Sequence, residues 1–115
     1  MADGKPEGLD DVWDDWQKAV NMTPKELEDW LETDDSKSVG DTGGSKQEST
    51  GHAEGRRIVE ILRKKKGDLR DEDVKDMKKV VGYVHRHAAQ GGPDDDKEHS
   101  RWRYSLMNWG NDPLK

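Results

Sequence analysis

Cysteine and phenylalanine are absent from this chain of 115 residues, and no apolar run approaches membrane length. Without cysteine there is neither a disulfide framework nor a thiolate metal site, so stability has to come from packing and helix chemistry. A membrane helix would need about 20 consecutive apolar residues, and the opening Met1-Ala-Asp-Gly-Lys-Pro lacks the apolar stretch of a secretory leader. These absences predict a cytoplasmic protein, or a nuclear one in a host with a nucleus. Hydrophobic types are scarce too, at 29 % of residues, which limits the chain to a small core. At this length a single domain is expected.

Tryptophan and charge are abundant instead. Trp13, Trp16, Trp30, Trp102 and Trp109 can each bury about 150–250 Å² and offset the shortage of aliphatic residues. Charge is sorted along the chain. Residues 1–51 carry 5 Lys/Arg against 14 Asp/Glu, residues 52–91 carry 11 against 7, and residues 92–115 carry 4 against 5. The formal net charge of −6 therefore hides a basic middle inside an acidic protein. Local potential, not total charge, decides whether a surface attracts an anion.

The apolar periodicity is helical throughout. Leu9, Val12, Trp13, Trp16 and Val20 fall on one face of a first helix, with Asp10, Asp11, Asp14 and Asp15 on the others. Thr23 reads as an N-cap, Pro24 as the first helical residue and Glu26 as the third, a capping box with Met22 and Leu27 at the staple positions. That second helix runs from Pro24 to about Thr33 and presents Leu27, Trp30 and Leu31 to the core. Between Thr33 and Gly51 only Val39 is apolar, so residues 33–51 read as a long flexible loop.

A third helix is predicted over His52–Lys66, with Ile58, Val59, Ile61 and Leu62 inward and Gly67 placed to end it in the left-handed conformation. The fourth, Asp71–Gln90, carries Val74, Met77, Val81, Val84 and Ala88 at helical spacing, with a close helix crossing as the expected reason for Gly82. After the breaker Gly91-Gly92-Pro93, a fifth helix spans Lys97–Trp109, closed by Gly110 and Pro113. No strand pattern competes. The expectation is an all-α domain of four to five short helices over residues 9–115, preceded by a disordered N-terminus at 1–8.

Two basic helices joined by a short connection at Gly67–Arg70 permit a helix-turn-helix-like arrangement. The predicted phosphate contacts are Arg56, Arg57, Arg63, Lys64, Lys65, Lys66, Lys78 and Lys79, with Lys75 and Arg86 nearby. Seven acids lie in the same stretch, Glu54, Glu60, Asp68, Asp71, Glu72, Asp73 and Asp76, so the competing reading is an ordinary solvated face. His85 and His87 stand two apart, on different sides of a helix, and the i, i+4 pair of zinc-binding helices is absent. No metal site or cofactor is expected. The glycine-rich stretch Gly40–Lys46 fails the phosphate-loop spacing, and no nucleophile elbow occurs. An enzyme is not expected, and the tryptophans read as core rather than as a base-stacking platform.

The runs Met22-Thr-Pro-Lys-Glu-Leu-Glu-Asp-Trp-Leu, Gly55-Arg-Arg-Ile-Val-Glu-Ile-Leu, Lys79-Val-Val-Gly-Tyr-Val-His-Arg-His and Trp102-Arg-Tyr-Ser-Leu-Met-Asn-Trp-Gly-Asn-Asp-Pro together resemble the domain of unknown function numbered 3140. The resemblance covers roughly Leu9 to Lys115. It implies a small intact helical domain, and some members carry a DNA-binding label. The chain departs from the family pattern at Arg70, where a capping Thr is commoner, and at Asn111, where His is expected. The functional expectation is a non-enzymatic DNA-binding or nucleoid-associated protein. The alternative is a protein-interaction module whose acidic surfaces at Asp10–Asp15 and Glu26–Glu32 meet a basic partner.

Overall fold

The computed structural model describes residues 8–39 and 50–115. Six α-helices occur among them: α1 Leu9–Ala19, α2 Pro24–Leu31, α3 Asp34–Ser38, α4 Thr50–Arg63, α5 Asp71–Ala88 and α6 Arg101–Asn108. Single 3-10 turns at Lys66–Asp68 and Lys97–His99 precede α5 and α6, and no strand is present among the described residues. The fold is all-α, as the periodicity requires. Residues 1–7 and most of the predicted flexible loop lie outside the described residues.

α1 packs along α5 and α2 along α4, while α6 touches α2, α3, α4 and α5 and so joins the two pairs. The tryptophans do what the shortage of aliphatic residues demands. Trp16 and Trp109 are buried with Leu9, Leu27, Ile58, Met77 and Leu106, and Trp13, Trp30 and Trp102 pack against that cluster half-buried. Trp109 stacks on Tyr83 of α5 with ring centroids 4.1 Å apart.

The second helix start forms as read. The Thr23 N–H donates to Glu26 Oε1 at 2.8 Å, and the Glu26 N–H donates to Thr23 Oγ1 at 3.1 Å. Met22 and Leu27 on either side are buried.

Other boundaries move, for identifiable reasons. Within the predicted loop, Thr33 caps a short α3 by accepting from the Ser36 N–H at 3.1 Å. This turn is held from outside, because Asn108 of α6 accepts from the Ser36 hydroxyl and donates to the Ser36 carbonyl at 3.1 Å. The same Asn108 oxygen accepts from Trp30 Nε1 at 2.7 Å. The third predicted helix ends at Arg63 rather than Lys66, and Gly67 sits in a 3-10 turn instead of a left-handed cap. The α4–α5 connection therefore spans residues 64–70, longer than the helix-turn-helix reading assumed. The fifth predicted helix is split, with Ser100 capping α6 by accepting from the Arg103 N–H at 3.1 Å.

The segment after α6 locks the α1–α2 corner. Gly110 adopts φ +82, and a Cβ there would come within 2.9 Å of Val20. Its carbonyl accepts from the Met22 N–H at 3.2 Å. Asn111 donates to the Ala19 carbonyl at 2.6 Å, and Asn21 and Asp112 exchange two hydrogen bonds at 2.8 and 3.1 Å. Arg103 clamps Asp112 with two further donors at 2.9 and 3.1 Å. Beside Arg103, the Asp112 carboxyl stays below its ordinary range although burial pushes it upward.

Candidate nucleic-acid interface

The eight cations predicted to meet phosphates do not form one field. Three of them converge on a buried carboxylate layer between α4 and α5. Asp73, fully buried as the third residue of α5, accepts from the Arg70 N–H at 2.9 Å, from Arg57 at 2.6 Å and from Lys64 at 3.0 Å. Burial opposes the Asp73 charge, but the Arg70 N–H, Lys64 and Arg57 outweigh it and hold the carboxyl below its ordinary range. Arg57 also donates to Asp76 at 2.7 Å and approaches Glu60 at 3.6 Å. Lys79 pairs with Glu54 at 2.7 Å. That hydrogen bond raises the Lys79 pKa against the opposing effect of burial, so the ammonium stays charged but locally neutralised.

Two more predicted contacts turn to other helices. Arg63 reaches Glu28 of α2 at 3.0 Å. Lys66 lies over the Trp13 ring, 4.7 Å from its centroid, and approaches Asp10 of α1 at 3.7 Å. Arg56 is exposed on α4 and, with Arg63, lines a groove of about 390 Å³ to which α2 contributes Glu28, Leu31 and Glu32. Lys65 is exposed in the α4–α5 connection. Lys78 is exposed on α5, its Nζ lying close to Gly8 at the start of α1. Neither Lys65 nor Lys78 has an acid partner among the described residues.

A different cationic surface emerges on α5. Its inward face is Asp73, Val74, Met77, Val80, Val81 and Val84. On the outward face Lys75, Lys79, Gly82 and Arg86 follow one another at i, i+4, i+7 and i+11, with Lys78 and His85 beside them. Lys75, Lys78, His85 and Arg86 are exposed, and no ion pair engages them among the described residues. From Met77 to Gln90 the chain contains no Asp or Glu; Asp71 and Glu72 lie at the far end, in the first turn.

The prediction therefore named Lys78 and Lys79 on this face but omitted Lys75, His85 and Arg86 from the site. The signal that finds His85 and Arg86 is positional: basic side chains at helical spacing in a stretch without acids. Lys75 lies between Asp73 and Asp76, and only its outward position on α5 marks it. His87, by contrast, turns inward and stacks on Tyr83 at 5.2 Å. Burial pushes its pKa down, and its Nε2 is enclosed without a partner. Among the described residues no three His, Asp or Glu side chains gather as a metal-binding group, and no helix is long and apolar enough to cross a membrane.

Gly82 also departs from expectation. Among the described residues a Cβ at Gly82 would meet only the Arg86 guanidinium, at 3.1 Å, and no other helix crosses there. The close crossing is at Gly55, where a Cβ would lie 2.5 Å from the Asn108 carbonyl oxygen and 2.7 Å from Leu31.

Among known proteins, no curated protein and no solved structure matches the chain. One family model does, described as "Protein of unknown function (DUF3140)", over residues 15–107. That span takes in α2, α3, α4 and α5 whole, the last five residues of α1 and all of α6 but its last residue. At Arg70 the backbone N–H is capped by Asp73, and Asn111 ties the segment after α6 to α1. The chain belongs to the DUF3140 family.

Proposed function

We propose that the protein binds the phosphate backbone of DNA through the outward face of α5. One observation carries this reading: Lys75, Lys78 and Arg86 are exposed on one helix face with no acid partner among the described residues. From Lys75 to Arg86 the face extends about 16 Å at 1.5 Å per residue, enough to meet several phosphates along one strand. Phosphate contacts position a protein without reading sequence, so binding is expected to be largely sequence-independent. The acid-paired cations of α4 and of the connection that follows it contribute little, because a phosphate would have to displace a carboxylate that already satisfies them.

The test is a salt titration of binding to a short mixed-sequence duplex. Wild type is compared with Lys75→Gln/Lys78→Gln/Arg86→Gln and with Arg63→Gln/Lys65→Gln/Lys66→Gln. Each lost phosphate contact lowers the slope of log K against log salt by about 0.9. The α5 variant is expected to lose about three contacts and the other at most about one. Absence of binding at low salt, or binding indifferent to salt, ends the proposal. An equal loss in both variants moves the interface back to the end of α4.

A protein-interaction reading rests on a separate surface. Asp11, Asp14 and Asp15 of α1 and Glu28, Asp29 and Glu32 of the α2 region are all exposed, and Glu28 and Glu32 border the α2–α4 groove. A basic partner would suit them. A stoichiometric protein complex that survives nuclease treatment, with no DNA binding by the free protein, favours this reading.

A further inference from the structure

Glycine inside a helix is destabilising relative to alanine and calls for a local reason. In α4 that reason is space: a Cβ at Gly55 would strike the Asn108 carbonyl oxygen, and one at Gly51 would come within 3.2 Å of Trp109 Nε1. Gly82 has no such reason among the described residues. It lies in the interior of α5, its φ is not positive, and of the described residues only its own helix neighbour Arg86 approaches the Cβ position.

Its surroundings are distinctive instead. On a helix surface the neighbours of a residue are i±3 and i±4. For Gly82 these are Lys78, Lys79, His85 and Arg86. A patch of bare backbone is thus ringed by four nitrogen-bearing side chains. The Arg86 guanidinium already lies over it, Nη1 standing 3.1 Å from where a Cβ would be. Lys79 is held by Glu54 at 2.7 Å and forms a wall rather than a free cation. Lys78, with no acid partner among the described residues, is the i−4 neighbour, and its Nζ lies near Gly8 at the start of α1.

We propose that Gly82 is the seat of a backbone phosphate: its missing side chain lets a phosphodiester approach the helix closely, where Arg86 donates to it and Lys78 and His85 flank it. This deepens the DNA-backbone reading and rests on it. The planar guanidinium fork suits two phosphate oxygens at once. A methyl group at position 82 would occupy the place of the phosphate and push Arg86 aside.

The experiment measures thermal unfolding by circular dichroism and binding of the same short duplex for wild type, Gly82→Ala, Arg86→Gln and the double variant. Gly82→Ala is expected to raise the unfolding midpoint and yet weaken binding about tenfold at low salt, as the loss of one charged hydrogen bond would. The salt slope should fall by about 0.9, one contact. Because both single changes remove the same contact, the double variant should bind little worse than either. If wild type binds but Gly82→Ala matches it within about twofold, with an unchanged slope, the seat is refuted and the wider reading stands. Additive losses in the double variant also refute the shared contact. A lowered unfolding midpoint for Gly82→Ala overturns the premise that no packing requires glycine. If wild type does not bind at low salt, both inferences fall together.

Discussion

The cations around the end of α4 and those on the outer face of α5 come from one basic stretch of sequence but meet different surroundings. Arg57 and Lys64 face a buried carboxylate, Asp73, and Arg63 and Lys66 reach across to acids on α2 and α1. Lys75, Lys78 and Arg86 meet no acid among the described residues. The first group holds helices together, and the second leaves positive potential facing outward. A positive charge already matched by a carboxylate has little field left to offer a phosphate.

Removing the centre of the structural group should have the largest effect. Asp73→Ala leaves Arg57 and Lys64 without their buried partner and strips the Arg70 N–H of its cap. Loss of one member of a buried pair costs about 3–5 kcal/mol, and the partial exposure of both cations places this case near about 3 kcal/mol, read from urea unfolding. Acid provides a second readout of the same carboxylate. Its pKa is depressed in the folded state, so its stabilisation is fully present above the unfolded value of about 3.9 and is lost as pH falls through the folded value. Asp73→Asn should therefore lose less further stability than wild type when titrated below about pH 4. Equal acid sensitivity would show that Asp73 is not the group holding α4 to α5.

One substitution should take opposite signs in the two helices. Gly55→Ala forces a Cβ against the Asn108 carbonyl oxygen and Leu31, and overpacking of this kind costs about 1–3 kcal/mol. Gly82→Ala meets, among the described residues, only the guanidinium at the far end of the long Arg86 side chain and should stabilise by about 0.8–1 kcal/mol through helix propensity. Denaturant midpoints that move in the same direction for both variants would erase the distinction between a packing glycine and a surface one. The smallest effect belongs to Arg63→Gln, which breaks the exposed Arg63–Glu28 pair. About 0.5 kcal/mol or less is expected, and a loss above about 1 kcal/mol would mean that this contact also belongs to the buried scaffold.

Local chemistry made much of the fold legible. The Thr23–Glu26 box, the Met22–Leu27 staple and the inward faces of α1, α2, α4 and α5 follow from spacing and residue type over a few positions. α3 was not legible, because Asp34–Ser38 has no apolar periodicity and is held by Asn108 of α6, 72 positions beyond Ser36. The end of α4 was hidden for a similar reason. Lys64 leaves helical register where it engages Asp73 across the connection. Of the predicted site, Lys78 and Lys79 lie on the outward face of α5, but Lys79, like Arg57, Arg63, Lys64 and Lys66, is drawn to an acid. Counting cations by segment could not separate the two groups, since the acids that pair with them lie up to 56 positions away, as Asp10 does from Lys66.

By itself the sequence determined an all-α chain with a tryptophan-rich core and a basic middle, because helical periodicity, capping and composition are properties of neighbouring residues. Only the tertiary structure decided which cations remain available and which glycine yields to packing. Ion pairing and steric approach depend on through-space distance, and distance is set when the α1–α5 and α2–α4 pairs are joined by α6.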